Sequence, residues 1–111
     1  MNNIITFDDF TKVDLRVGTI VEVNDFPEAR NPAYQLIIDF GDLGIKKSSA
    51  QITTLYNKED LLQKQIVAVI NFPAKQIANF NSECLVLGAV NGKDVILLNP
   101  ENKVKKGSVV A

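Results

Sequence analysis

Lys46-Lys47-Ser48-Ser49-Ala50-Gln51 crowds cations and hydroxyls into one short run. Adjacent side chains of an extended strand leave by opposite faces, so at least one of the two lysines must point outward beside a serine. A second polar segment, Asn71-Phe72-Pro73-Ala74-Lys75-Gln76-Ile77-Ala78-Asn79-Phe80, runs on to Ser82-Glu83 and mixes amides, a cation and aromatics. Lys, Ser, Asn and Gln side chains suit phosphate oxygens, and an exposed Phe offers a face on which a base can stack. The same residues fit a second reading, in which Phe72 and Phe80 plug a core and the polar groups are simply solvated. Residue types alone leave both open.

Other chemistries are excluded by what is missing. The chain has no histidine, which removes imidazole acid-base catalysis, Ser-His-Asp and Cys-His sites and the commonest zinc ligand. Cys84 is the only cysteine, so there is neither an internal disulfide nor a multi-thiolate metal centre; its neighbours Leu85, Val86 and Leu87 suggest a buried thiol on an apolar strand. Among the carboxylates, Asp8 and Asp9 suit the first turn of a helix better than an acid-base pair, and Asp14, Asp39, Asp42 and Glu83 form no recognisable catalytic spacing. No Gly-rich phosphate loop or nucleophile elbow appears. The expectation is a binding module with no catalytic residues, no metal and no cofactor.

The 111 residues allow one domain with one core, at 46% apolar and 23% charged composition. No run is long and apolar enough to span a bilayer, and MNNIITFDDF lacks the features of a secretory signal, so the expected location is the cytoplasm. The net charge of −1 hides an asymmetry: residues 1–42 carry three basic and eight acidic side chains, residues 43–111 nine basic and five acidic. The basic part is able to form a cationic face, although Lys-rich loops are more often just solvated.

The elements that must hold the two polar segments follow from periodicity. Thr6 before Phe7-Asp8-Asp9-Phe10 predicts a capped short helix to about Lys12. From Val13 to Asn24 the odd positions are apolar or Thr, which predicts a long strand with one buried face, bent or bulged at Gly18 so that it serves both sides of a small barrel. A connection through Pro27 and Pro32 leads to a strand over Tyr34–Phe40, then a short polar strand over Ile45–Ala50. Helical turns capped at Asn57 interrupt Gln51–Lys64. Gln65–Phe72 and Ser82–Val90 read as further strands, and Asn91-Gly92 as a hairpin turn to Asp94–Leu98. The predicted core is Leu15, Val17, Val21, Leu36, Ile38, Ile66, Ala68, Ile70, Leu85 and Leu87.

This layout is all-β: a five-stranded Greek-key barrel of the oligonucleotide-binding (OB) fold, with short helices at the N-terminus and between strands three and four. An immunoglobulin-like sandwich would want about seven strands and no helix there. The apolar residues at both ends, Ile4, Ile5, Phe7 and Phe10 with Val104, Val109 and Val110, exceed what such an interior absorbs and predict a two-fold dimer.

Five blocks in order along essentially the whole chain then carry a resemblance: VDLRVGTIV from Val13, FPEAR from Phe26, IDFG from Ile38, KSSAQIT from Lys47, and Ser82-Glu83 followed by LVLG from Leu85. They closely resemble the free-standing tRNA-binding domains, relatives of modules appended to methionyl-, tyrosyl- and phenylalanyl-tRNA synthetases. The resemblance implies an OB barrel that acts as a homodimer, binds tRNA through its structure more than its sequence, and in one branch holds unfolded or export-bound polypeptides. It implies an RNA surface on Lys46, Lys47, Ser48 and Ser49 and on Asn71, Lys75, Gln76, Ser82 and Glu83. Glu83, of the wrong charge for phosphate, is expected to bond the loop backbone and steady Lys75 or Ser82. The chain departs from the pattern at Gln76, where relatives carry a second basic residue, and at Asn79, where they often have Gly and where Asn would supply a left-handed backbone.

Overall fold

The computed structural model describes residues 3–111. The N-terminal helix α1 (Phe7–Thr11) begins as its cap predicts, Thr6 and Asp9 bonding each other's backbone N–H at 3.2 and 3.0 Å. Its residues all stay exposed, Phe7 and Phe10 included. Strands β1 (Leu15–Asp25), β2 (Tyr34–Asp39), β3 (Ile45–Ala50) and β4 (Gln65–Val69) follow, with the single helical turn α2 (Lys58–Leu61) between β3 and β4. A two-residue strand β7 (Leu85–Val86) completes an antiparallel sheet of order β3-β2-β1-β4-β7, nearly closed into a five-stranded barrel. Leu61 of α2 plugs it, joining Ile20, Leu36, Ile38, Phe40 and Ile66 at 0% exposure.

β1 does serve both sides, facing β4 over Leu15–Thr19 and β2 over Thr19–Asp25. Its irregularity, however, falls between Ile20 and Glu22, and Val21 is the extra residue; Gly18 lies in regular register opposite Ile66. The extra residue shifts the inward parity, so Ile20 occupies the core and Val21 is half-buried. Gly18 is required for a different reason. A Cβ there would lie 2.6 Å from Ile38 Cγ2 and 2.7 Å from the Phe40 ring.

Further expectations are corrected. The fourth strand ends at Val69, before Asn71 and Phe72, and the supposed loop after it contains a hairpin of β5 (Lys75–Ile77) and β6 (Phe80–Ser82). Its left-handed residue is Ala78 (φ 51°), not Asn79. The strand read over Ser82–Val90 is three pieces: β6, β7, and β8 (Gly88–Asn91), which forms its own hairpin with β9 (Asp94–Leu97) through Gly92-Lys93 rather than Asn91-Gly92. Because the chain kinks after Glu83, Cys84 faces the core with Val86 packed against it. Leu85 is 48% exposed and Leu87 half-buried, the opposite of their assigned face; Leu15 and Ile70 are also only half-buried. Since an alanine in the left-handed region costs energy that glycine does not pay, Ala78→Gly is expected to stabilise the protein by about 0.5–1 kcal/mol, read as an upward shift in the urea midpoint.

The C-terminal tail returns to the start of the barrel. Gly107 N–H donates to Val17 O at 2.7 Å, Val17 N–H to Ser108 O at 3.0 Å and Val110 N–H to Leu15 O at 2.9 Å. The Gln65 amide grips Val104 from both sides, at 2.8 Å to its carbonyl and 3.0 Å from its N–H. Lys106 pairs with Asp39 at 2.9 Å, and this hydrogen bond holds the Asp39 carboxyl below its ordinary pKa.

Candidate nucleic-acid interface

The two polar segments of the sequence meet at the seam of the barrel. β3 pairs with β2 along one edge, and its other edge faces Ser82–Cys84. Glu83 closes this seam by taking both backbone groups of Lys47: the Lys47 N–H donates to its Oε1 at 2.9 Å, and its own N–H donates to Lys47 O at 2.7 Å. Ser82 Oγ accepts from Ser49 N–H at 3.1 Å. Glu83 therefore bonds backbone as expected of it, but the backbone of β3 rather than of the loop.

Removing the Glu83 carboxylate leaves the Lys47 N–H without its acceptor. Glu83→Ala is expected to cost about 1–3 kcal/mol, whereas Glu83→Gln keeps a carbonyl acceptor and most of the stability. Glu83→Gln also deletes a negative charge beside Lys47, so its affinity for a polyanion should rise; thermal melts and an RNA titration of the two variants check both halves.

Register places Lys47 and Ser49 on the outer face of β3, opposite Ile37 and Gln35, with Lys46 and Ser48 on the face of Ile38 and Leu36. Ser48 is 1% exposed and donates its hydroxyl to Cys84 O at 2.8 Å, which makes it a brace of the seam. The Lys47 ammonium stands 5.3 Å over the Phe80 ring. Phe80 packs on Phe26 at 5.4 Å between centroids, and with Ala33 the two form a small second core under the hairpin. Phe80 is thus a plug, while Phe72 is 52% exposed. Burial pushes the Cys84 thiol up to about 11, so it stays neutral and inert, as a packed structural cysteine does.

A cleft of about 300 Å³ opens between the hairpin and the β1–β2 connection, lined by Lys75, Gln76, Ser49, Gln51, Arg30 and Asn31 among others. Arg30, Asn31 and Gln51 are absent from the sequence-derived site; Arg30 sits in the FPEAR block, which was the available signal. Across the hairpin lies a second groove of about 500 Å³, whose walls include Ile52, Phe72, Ile77, Leu85 and Val95, with Ser82, Glu83 and Lys75 on its border. Asn71 belongs to neither. Its side chain accepts from Asp14 N–H at 2.9 Å and donates to Lys12 O at 2.7 Å, fixing the joint between α1 and β1, and it lines a separate depression with Phe7, Phe10 and Val109. Among the described residues no three Asp, Glu or Cys side chains gather as a metal site would need, and no helix is long and apolar enough to cross a membrane.

A nearly closed five-stranded barrel with a cationic, amide-lined cleft between two of its connections has the form of a nucleic-acid-binding OB module. The comparisons agree: residues 15–109 match the family described as "Putative tRNA binding domain", and the chain belongs to that family. Within it, the chain is like the free-standing CsaA chaperones. The crystal structure of chaperone CsaA from Bacillus anthracis str. Ames is 52% identical with a TM-score of 0.94, covering 98% of this chain and 100% of that one. That of the CsaA chaperone protein from Picrophilus torridus is 56% identical with a TM-score of 0.91, covering 97% and 100%. A methionine–tRNA ligase of Pyrococcus abyssi is 39% identical over 106 residues, 96% of this chain; the chain spans only 14% of that ligase's length.

Proposed function

We propose that the protein is a cytoplasmic, non-catalytic homodimer that binds tRNA. The observation that carries this reading is the cleft between the hairpin and the β1–β2 connection, where Lys75 and Arg30 share one wall-to-wall opening with hydroxyl and amide groups, next to the outward Lys47. Lys47, Lys75, Arg30 and Lys46 neutralise phosphates, Ser49 and Gln76 give polar support, and Ser48, Ser82 and Glu83 hold β3 in place. Asn71 acts on the α1–β1 joint. A gel shift of the purified protein against total tRNA at two ionic strengths tests it: binding at low salt that fades steeply as salt rises is the expected result, and no shift at low salt sinks it.

The dimer reading is supported by the apolar ends. Ile4 is 97% exposed, Phe7 76% and Val109 62%, and Phe7, Phe10 and Val109 line one depression. Pairing over this face is expected to bury at least about 1,200 Å² in total. Light scattering at micromolar concentration should return twice the chain mass; a monomer mass overturns it.

A second reading, holding of unfolded or export-bound polypeptide, is favoured by the larger groove, where Phe72 and Leu85 are 52% and 48% exposed. Such binding survives salt that abolishes phosphate contacts, which separates it from the first.

A further inference from the structure

Asn91-Gly92 marks a hairpin in the sequence, yet Asn91 lies outside the turn, which Gly92 and Lys93 form. Asn91 is instead the last residue of β8 and pairs across the ladder with Asp94. Gly92 stands first in the turn with φ 64°, and a Cβ there would meet nothing within 4 Å. In a two-residue hairpin the N–H of that position lies outside the ladder, and among the described residues Gly92 N–H donates to no backbone carbonyl. The Asn91 carboxamide is equally free. Asn24 donates its amide to Glu22 and Asn71 is bonded at both ends, whereas Asn91 is exposed and makes no such bond among the described residues. The chain itself thus holds a free amide nitrogen within reach of a free side-chain carbonyl, with no Cβ on Gly92 to crowd the approach.

The β8–β9 hairpin is anchored at one end only. Leu97 is 8% exposed in the main core, and its N–H donates to the Tyr56 hydroxyl at 3.0 Å. At the other end Val90, Asn91, Gly92 and Lys93 are all exposed. Val95, next to Asp94, packs against the core and forms part of the wall of the larger groove, so it is the first packed side chain to feel a change at the tip.

We propose that Asn91 is a site of spontaneous covalent modification, at which Asn91-Gly92 closes to a succinimide and opens to aspartate or isoaspartate, loosening the hairpin tip beside the larger groove. Gly92 N bonds to Asn91 Cγ as the Cγ–Nδ2 bond breaks, and Nδ2 leaves as ammonia with the proton from Gly92 N. Water then adds across one of the two ring C–N bonds. Opening at the former side-chain carbonyl gives aspartate; opening at the backbone carbonyl gives isoaspartate, in which the chain runs through the side chain of residue 91. Both products disturb the hairpin. Aspartate sets a second carboxylate directly opposite Asp94, and like charges at such a pair are destabilising. Isoaspartate lengthens the backbone by one atom at the turn, so β8 and β9 no longer keep their register and faces together.

The test ages the full chain in mildly alkaline buffer and follows the masses of its peptides, with an isoaspartate-specific methyltransferase to label the isoaspartyl product. Residue 91 is expected to convert ahead of every other asparagine. Gly92→Ala, whose methyl has open space around it but crowds the attacking nitrogen, should lose the conversion over the same interval. Asn91→Asp, a stable copy of the aspartyl product, should melt about 1–5 °C lower. Its amide exchange should be faster only within residues 88–97, and adding Asp94→Asn should restore the parental melt. Conversion led by another asparagine, or undiminished in Gly92→Ala, overturns the site. A parental melt and parental exchange in Asn91→Asp, or a loss that Asp94→Asn leaves unrepaired, overturns the loosening of the hairpin.

Discussion

The double replacement Lys47→Ala, Lys75→Ala is expected to lower tRNA affinity about thirty-fold in about 0.1 M salt and to flatten the dependence of log K on log salt by about 1.5. The two cations come from elements joined at the seam, Lys47 from the outer face of β3 and Lys75 from the hairpin strand paired with Ser82, whose hydroxyl accepts from Ser49 N–H. Each neutralised phosphate releases condensed counterions, and the release is worth more the more dilute the salt, so the loss should shrink toward high ionic strength and fall evenly across different tRNAs. Lys47 also sits over the Phe80 ring, a contact worth about 0.5–1 kcal/mol at an exposed site, so a melt must accompany the titration. Parent-like affinity and slope in a folded double variant would place the RNA elsewhere on the barrel.

Gly18→Ala should be the most damaging single-methyl addition in the strand. The new Cβ would stand 2.6 Å from Ile38 Cγ2 and 2.7 and 2.9 Å from two atoms of the Phe40 ring, and both residues are at 0% exposure with no room to retreat. Relief requires β1 to lift off the core, which strains its ladders with β2 and β4 at once. Overpacking of this kind costs about 1–3 kcal/mol, and the lost flexibility of the unfolded chain returns less than about 1. A fall of about 5–10 °C in the melting temperature is the expected reading for Gly18→Ala, and a larger one for Gly18→Val. An unchanged melt would mean that the Ile38–Phe40 layer is looser than its burial implies.

How much of this was legible in the sequence varies by element. β3 was readable to its end residues because Gly44 and the polar run define it, and both short helices because Thr6 and Asn57 cap them with an acid three residues on. The hairpin was invisible: three-residue strands are too short to show alternation, and Ala78-Asn79 is not a turn pair that announces itself. SECLVLGAV reads as one continuous strand with Leu85 and Leu87 inward, and nothing local reveals that Glu83 leaves the ladder to grip Lys47 from 36 residues away. The polar residues of the site were visible as types, but not their division into groups that face the cleft, braces such as Ser48, and Asn71, whose amide is spent on the α1–β1 joint. Arg30 and Asn31 carry no such signal, because two prolines mark their segment only as a connection, whereas folding brings it against the hairpin.

The tail that returns to β1 has a consequence for the order in which the protein is assembled. Arg16 Nη1 donates to Gly107 O at 3.0 Å across a separation of 91 residues, beside the three backbone bonds that tie Leu15 and Val17 to the tail. During synthesis β1 emerges before the strands it pairs with, and its Leu15–Val17 stretch waits for a segment that follows it by 91 residues. Local contacts such as the β8–β9 hairpin form early, but contacts between distant segments carry a loop-closure cost that slows folding. A nascent chain halted short of residue 107 therefore holds a barrel with the Leu15–Val17 edge open, and an unpaired strand edge invites pairing with another chain.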